Sequence, residues 1–133
     1  MQFARHIPFI HLLGAELLRF EDGETEIALD IRDELQNSWQ VAHGGVVMTL
    51  LDVAMARAAT SQPGAPSTTV VTVEMSARFV RPGRGPLVAE GSVLHAGGSL
   101  CTCEASVRDA AGNLVATAMG TFKYWRGPAG GVE

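Results

Sequence analysis

Residues 37–57, NSWQVAHGGVVMTLLDVAMAR, decide the fold of this chain. The stretch begins with polar loop residues, continues through His43-Gly44-Gly45 and then becomes almost entirely apolar. Apolar side chains on nearly every side of a helix predict that the helix is buried. Asp52 nevertheless lies in the middle of this helix, between Leu51 and Val53. Because removing a carboxylate from water is costly unless it is partnered or protonated, Asp52 is the first candidate for a functional residue.

The composition predicts one domain with little charged surface. The chain has 133 residues, of which 47% are hydrophobic and 18% are charged. This length supports one core but not two, and the scarcity of charge predicts that a second copy covers part of the exterior. The net charge of −4 argues against general nucleic-acid binding. We assign residues 1–125 to a single domain and the Gly/Pro-rich residues 126–133 to a flexible tail.

The N-terminal and cysteine patterns predict a cytoplasmic protein. Residues 1–13, MQFARHIPFIHLL, lack the long apolar run of a signal peptide, and Asp52 interrupts the one long apolar segment. Cys101 and Cys103 would share one face of a strand, and their C-x-C spacing suggests neither a disulfide framework nor a zinc pair. We therefore expect reduced, buried cysteines, no metal site and no membrane attachment.

Strands with one polar face are predicted on both sides of the central helix. A short helix is expected from Pro8 to about Leu13, and two strands follow it, of which residues 24–32 alternate cleanly between apolar and polar. After the central helix, which should end near Ser61, four long strands joined by tight turns predict an antiparallel meander. The single long helix would then pack against the concave face of the sheet. The predicted fold class is α+β.

The first strand of this meander has a strict alternation in the sequence. Met75 and its apolar neighbours would face one way, and Thr72, Glu74, Ser76 and Arg78 would face the other. Thr72 is therefore expected on the polar face of the sheet, together with Glu74.

Gly44 and Gly45 at the start of the helix allow two interpretations. The first backbone N–H groups of a helix have no intrahelical partner, and with the helix dipole they form a site for an anion or a polarised carbonyl oxygen. Two glycines there would let a substrate approach closely. The alternative is that the glycines only allow a tight turn and close packing. The neighbouring Asn37, His43 and Asp52 favour the first interpretation.

Asn37, His43-Gly44-Gly45 and Asp52 together resemble the signature of hotdog-fold acyl-CoA thioesterases. The resemblance is to the phenylacetate-pathway (PaaI-like) type, within the 4-hydroxybenzoyl-CoA thioesterase-like superfamily. It extends from about Pro8 to Trp125 and includes the runs VTVEMSARFVRPGRGPLVAEGSV and DAAGNLVATAMGTFKYW. It implies a hotdog fold, in which an antiparallel sheet wraps around one long central helix. The implied reaction is hydrolysis of an aryl-acyl or medium-chain acyl-CoA, with coenzyme A as part of the substrate and no separate cofactor.

The resemblance also implies roles for particular residues. Asp52 would be the general base or the nucleophile, and Gly44 would donate its backbone N–H to the thioester oxygen. Asn37 and His43 would orient the substrate carbonyl or the water, and Thr72 would help to hold that water.

The binding of coenzyme A is predicted from separate residues. Gly45 belongs to the glycine pair that the substrate approaches. Arg78, Arg81 and Arg84 flank the Pro82-Gly83 turn and are candidates for pairing with the coenzyme A phosphates. An ordinary solvated turn with surface arginines explains the same residues equally well.

Spacing on the helix predicts that each active site is built from two chains. Gly44 and Asp52 are eight residues apart, which corresponds to roughly 12 Å along a helix axis. An oxyanion donor and a base must both lie within about 3 Å of the reacting atoms. We therefore expect a homo-oligomer, a dimer or a dimer of dimers, with active sites at the subunit interface.

Two alternatives share this fold. A hotdog enoyl-CoA hydratase has a different arrangement of its aspartate and histidine, and this sequence fits it less well. A non-hydrolysing acyl-CoA-binding or regulatory module is the other, because fold alone does not determine activity.

Overall fold

The computed structural model describes residues 7–125. The predicted flexible tail, residues 126–133, lies outside the described residues. None of the helices in the described range is long and apolar enough to cross a membrane. The elements in chain order are α1 (Pro8–Leu13), β1 (Glu16–Glu21), β2 (Glu24–Asp30), a 3-10 turn (Asp33–Leu35), α2 (Gly44–Ser61), β3 (Val70–Phe79), β4 (Pro86–Ala96), β5 (Leu100–Asp109) and β6 (Leu114–Tyr124).

The strands form one antiparallel six-stranded sheet around α2, which confirms the predicted α+β architecture. The strand order is β1-β2-β4-β5-β6-β3. The prediction of a four-strand meander is therefore wrong, since only β4, β5 and β6 follow one another in space. Among the described strands, β3 pairs only with β6, and the next strand, β4, pairs with β2 at the other side of the sheet. As a result β3 is an edge strand.

The core fills the space between α2 and the inner face of the sheet. Apolar side chains of β2 alternate inward as predicted, with Ile27 and Leu29 buried. Cys101 and Cys103 are free and buried, with their Sγ atoms 3.7 Å apart, as the C-x-C spacing indicated. Their neighbours on β6 include the fully buried Phe122.

At Ala54, α2 approaches the sheet closely. The Thr25 hydroxyl donates a buried hydrogen bond of 2.7 Å to the Ala54 carbonyl oxygen. Gly91 of β4 pairs with Thr25 and lies directly beneath the same carbonyl, where a side chain would collide with it. A strand glycine often marks such a close backbone approach. This contact fixes the height of α2 above the sheet.

The prediction that α2 is buried all round is only partly right. Its sheet-facing side is buried, but the opposite side leaves a stripe open in the single chain, formed by Gly45, Met48, Thr49, Asp52 and Val53. Met48 is 41% exposed. One curved sheet surrounds only part of the circumference of a helix, so an apolar stripe is left uncovered. Asp52 lies on this stripe.

A β-bulge in β3 changes which side chains face α2. Thr72 pairs with Phe122 and Glu74 with Thr121, so Val73 is the extra residue. Thr72 therefore shares the inner face with Met75, while Glu74 lies on the outer face and accepts a hydrogen bond from Thr121. The expectation that Thr72 and Glu74 share one face is wrong, because the inserted residue reverses the alternation.

The packing at Gly91 makes a stability prediction. We expect Gly91→Ala to lower the free energy of unfolding by about 1–3 kcal/mol, because the methyl group overpacks against the Ala54 carbonyl. Gly98→Ala is the matched control, since a Cβ there meets nothing within 4 Å. Urea unfolding of both variants measures the difference. Equal stability of the two variants would contradict the close approach of α2.

Candidate active site

The loop before α2 holds Asn37 in a fixed orientation. Gln36 and Ala42 form an isolated β-bridge, and the Asn37 backbone N–H donates to the Val41 carbonyl at 2.9 Å. The Asn37 Oδ1 atom accepts a hydrogen bond from the Trp39 backbone N–H at 2.9 Å. With its side-chain oxygen engaged inside the loop, Asn37 presents its NH2 group as the donor for a ligand.

His43 caps the N-terminus of α2. Its Nδ1 atom accepts a 2.9 Å hydrogen bond from the Gly45 N–H, and its carbonyl accepts from the N–H groups of Val46 and Val47. Since Nδ1 is the acceptor, the proton of the neutral ring is on Nε2. Within residues 7–125, the Gly44 N–H is the donor of this first turn that has no partner. It is therefore available to an external acceptor.

The two glycines differ in what they require. A Cβ at Gly45 would lie 3.1 Å from the His43 Nδ1 atom. The absence of a side chain at Gly45 therefore leaves room for the capping hydrogen bond of His43. A Cβ at Gly44 would meet nothing closer than Phe79, at 3.9 Å, which is an ordinary contact. Close packing within the chain therefore explains Gly45 but not Gly44.

Asp52 is joined to β3 by a short hydrogen bond. The Thr72 hydroxyl donates to the Asp52 Oδ1 atom at 2.7 Å. Burial raises the pKa of Asp52 above the usual aspartate value, while the Thr72 hydrogen bond and the charge of Arg57 lower it by less. A carboxylate with a raised pKa that is oriented by a hydroxyl has the properties of a general base.

An apolar hollow of about 400 Å³ opens beside this carboxylate. Its walls come from α1, α2 and β3, and apart from Asp52 and Thr49 they are hydrophobic. This hollow could not be predicted from the sequence, because its lining comes from three elements that are distant in the chain. The lining residues are Ile7, Phe9, Ile10, Met48, Thr49, Asp52, Val53 and Met75.

The three predicted coenzyme A arginines lie near the end of β3 and in the connection that follows it. Arg78 pairs with Thr117 and lies on the outer face of the sheet, on the side away from Asp52. Arg81 lies in the connection after β3. The pKa of Asp109 is lowered mainly by the hydrogen bond from the Asn113 backbone N–H, and the charge of Arg81 adds to this effect. Arg84 is exposed in the same connection. Their pairing with coenzyme A phosphates stays a prediction.

The structure therefore brings the predicted site residues together in two groups. His43 and Gly44 lie at the start of α2, Asn37 lies in the loop before it, and the Asp52–Thr72 pair lies two turns further along. Because α2 is one helix from Gly44 to Ser61, Gly44 and Asp52 of one chain lie at different points along its axis. Sequence reasoning missed Phe79, whose ring lies beside Gly44 at the end of β3.

The Thr72 hydroxyl makes a prediction about Asp52. We expect Thr72→Val to raise the pKa of Asp52 further, because the variant loses a hydrogen bond that favours the charged carboxylate. Thr72→Ser keeps the hydroxyl and should leave the pKa close to that of the wild type. The carbon-13 shift of the Asp52 carboxyl group, followed against pH by NMR, measures both. The same titration midpoint in Thr72→Val and wild type would show that the bond has no influence.

Comparisons with known proteins find similar sequences and structures over most of the chain. A model of the thioesterase superfamily matches residues 40–116. The medium/long-chain acyl-CoA thioesterase YigI of Escherichia coli is 26% identical over 135 residues, covering 90% of this chain and 87% of YigI.

Solved structures have the same fold. The conserved protein PA5202 of Pseudomonas aeruginosa superimposes with a TM-score of 0.84 at 32% identity, covering 90% of this chain and 95% of that protein. A mutant of the phenylacetic acid degradation protein PaaI of Thermus thermophilus gives a TM-score of 0.80 at 27% identity, covering 90% and 100%. The chain therefore belongs to the thioesterase superfamily, and its antiparallel sheet around one long helix is the hotdog fold.

Proposed function

We propose that this protein hydrolyses an acyl-CoA thioester to the free acid and coenzyme A, with aryl-acyl or medium-chain acyl groups as substrates. The observation that carries the proposal is the Asp52 carboxylate, bonded to Thr72 and opening onto an apolar hollow. The name of the Escherichia coli relative, a medium/long-chain acyl-CoA thioesterase, supports the same class of reaction. Coenzyme A is part of the substrate, so the reaction needs no separate cofactor.

Asp52 can start the reaction in two ways. It can take a proton from a water molecule whose oxygen attacks the thioester carbonyl carbon. Alternatively its own oxygen attacks that carbon, and water then cleaves the resulting anhydride. In both cases the C–S bond breaks and the thiolate leaves with little need for an acid. Both routes require the ionised carboxylate, so activity should decrease as the pH falls through the raised pKa of Asp52.

The N-terminus of α2 supplies the complementary group. As the thioester carbonyl carbon is attacked, negative charge develops on the carbonyl oxygen and is stabilised by donors oriented in advance. The free Gly44 N–H and the Asn37 NH2 group are suitable donors, and the positive end of the dipole of α2 adds to them. The Gly44 donor lies roughly 12 Å along the helix from Asp52 of the same chain.

A second copy of the chain would bring its own Asp52 close to these donors. β3 is an edge strand of ten residues with exposed apolar side chains, which favours pairing with another strand. Gly44 lies beside Phe79 at one end of β3, and Asp52 is bonded to Thr72 near the other end. Antiparallel pairing of two β3 strands, centred near Met75, puts the Phe79 end of one copy beside the Thr72 end of the other. Each dimer then has two sites, each with Gly44 from one chain and Asp52 from the other.

The test is release of free thiol from a panel of aryl-acyl and straight-chain acyl-CoAs. The proposal expects release from at least one member of the panel. Tight binding without release from any member would instead support a binding module. Loss of the enoyl absorbance of an enoyl-CoA without thiol release would support a hydratase.

Substitution of Asp52 tests the role of the carboxylate. We expect Asp52→Asn to lower kcat by roughly 100-fold or more, the scale of general-base catalysis. The pKa of Asp52 is higher in the folded state than in the unfolded state. Ionisation of Asp52 therefore lowers the free energy of unfolding, fully so above the folded-state pKa. This loss disappears as the pH falls below the unfolded-state pKa. At neutral pH the Asn variant should therefore melt at the same or a higher temperature.

The matched control is Asp30→Asn, which changes an exposed carboxylate at the end of β2 and should keep full activity. Thiol release and thermal melting measure the three proteins side by side. Near-normal turnover by Asp52→Asn would show that the Asp52 carboxylate takes no part in the reaction.

A further inference from the structure

The hollow beside Asp52 has a wall that does not belong to the sheet or to the central helix. Phe9 and Ile10 of α1, with Ile7 just before it, form one side of the hollow, opposite residues of α2 and β3. The volume of about 400 Å³ is near the lower end of the range for small-molecule sites, which is roughly 300–1,000 Å³. The space available to a ligand therefore depends on where α1 lies.

Several contacts fix α1 against the domain. Ile10 and Leu13 are the buried side chains of α1. The Arg32 guanidinium donates to the Leu13 carbonyl at 2.6 Å and to the Leu12 carbonyl at 2.9 Å. Gly14 ends the helix in a left-handed conformation, with φ 82°. These contacts hold the C-terminal end of α1 and therefore restrict the position of Phe9.

The chemistry of the lining selects the kind of group that the hollow takes. Met48, Val53 and Met75 offer flexible or branched apolar surface. The Thr49 hydroxyl donates a hydrogen bond of 2.8 Å to the Gly45 carbonyl, so it is not available as a donor to a ligand. Among the described lining residues none is cationic, and the one charge is that of Asp52. An anionic group at the end of a ligand would be repelled there, whereas a hydrocarbon chain would be buried.

We propose that the hollow binds an uncharged hydrocarbon acyl chain and that Phe9, held by α1, sets the longest chain accepted. This inference rests on the proposed function for its reaction, but it concerns the binding of the acyl group and can be tested separately. Phe9 is 54% exposed, so its ring can be removed without opening the core. It acts on specificity and takes no part in the chemical step.

The experiment compares Phe9→Ala with Leu12→Ala across the saturated series from butyryl- to palmitoyl-CoA. Leu12 is the matched control, because it is 69% exposed on the same helix and does not line the hollow. Both kcat/KM for thiol release and the dissociation constants of the matching non-hydrolysable thioethers are measured. Melting temperatures verify that each variant is folded.

Phe9→Ala should move the optimum to longer chains, with a gain of roughly fourfold in relative kcat/KM and affinity for each methylene group that becomes buried. Phe9→Trp should move the optimum to shorter chains, and Leu12→Ala should leave it in place. A Phe9→Ala profile with the same shape as the wild type would overturn the inference. A shift in thioether affinity without thiol release by any protein would support the inference and overturn the hydrolysis.

A pair of substrates of equal length tests the class of the acyl group. Butyryl-CoA and succinyl-CoA differ by the terminal carboxylate of the latter. We expect wild-type kcat/KM and affinity to favour the butyryl group by roughly tenfold or more, since the carboxylate would be desolvated near Asp52. Equal values for the two would contradict an uncharged acyl chain as the ligand.

Discussion

The hydrogen bond from Thr72 to Asp52 joins the central helix to the edge strand of the sheet, and the proposed active site depends on it. It exists because a bulge at Val73 turns Thr72 inward. Without the bulge the hydroxyl would point away from α2, and the aspartate would lack a partner on its own chain among the described residues. The bond also opposes the effect of burial on the pKa of Asp52, so the carboxylate can be ionised in surroundings that disfavour charge.

The second constraint is the length of α2. The helix dipole puts the electrophilic end at Gly44, and the carboxylate is eight residues further along. A single chain therefore cannot bring both groups to one carbonyl. The proposed dimer resolves this through β3, because the strand carries the neighbours of both groups at opposite ends. The unpaired edge of β3 is then part of the surface that the second copy covers.

Much of this fold could be predicted from local patterns in the sequence. The limits of α2, the inward side chains of β2 and the shared face of Cys101 and Cys103 all follow from periodicity, and all are confirmed. The family could be predicted from Asn37, His43-Gly44-Gly45 and Asp52. These residues are close in the chain, so one stretch carries the information.

Other features depend on contacts between distant segments, and periodicity does not contain them. The inserted residue at Val73 fits the same alternation of apolar and polar letters as a regular strand, so the face of Thr72 was predicted wrongly. The position of β3 at the edge depends on the pairing of β2 with β4. The role of α1 in the hollow depends on Arg32 and on packing of Ile10, which the sequence of the helix does not reveal.

The central claim is that two chains share each site, and subunit complementation tests it most directly. Asn37→Ala and Asp52→Asn chains, each inactive alone, are mixed in equal amounts and allowed to exchange, with exchange followed by native mass spectrometry. A mixed dimer then contains one intact site and one doubly altered site. If two chains share each site, about a quarter of wild-type activity should return, for random exchange and independent sites. Proven exchange with no recovered activity would contradict it.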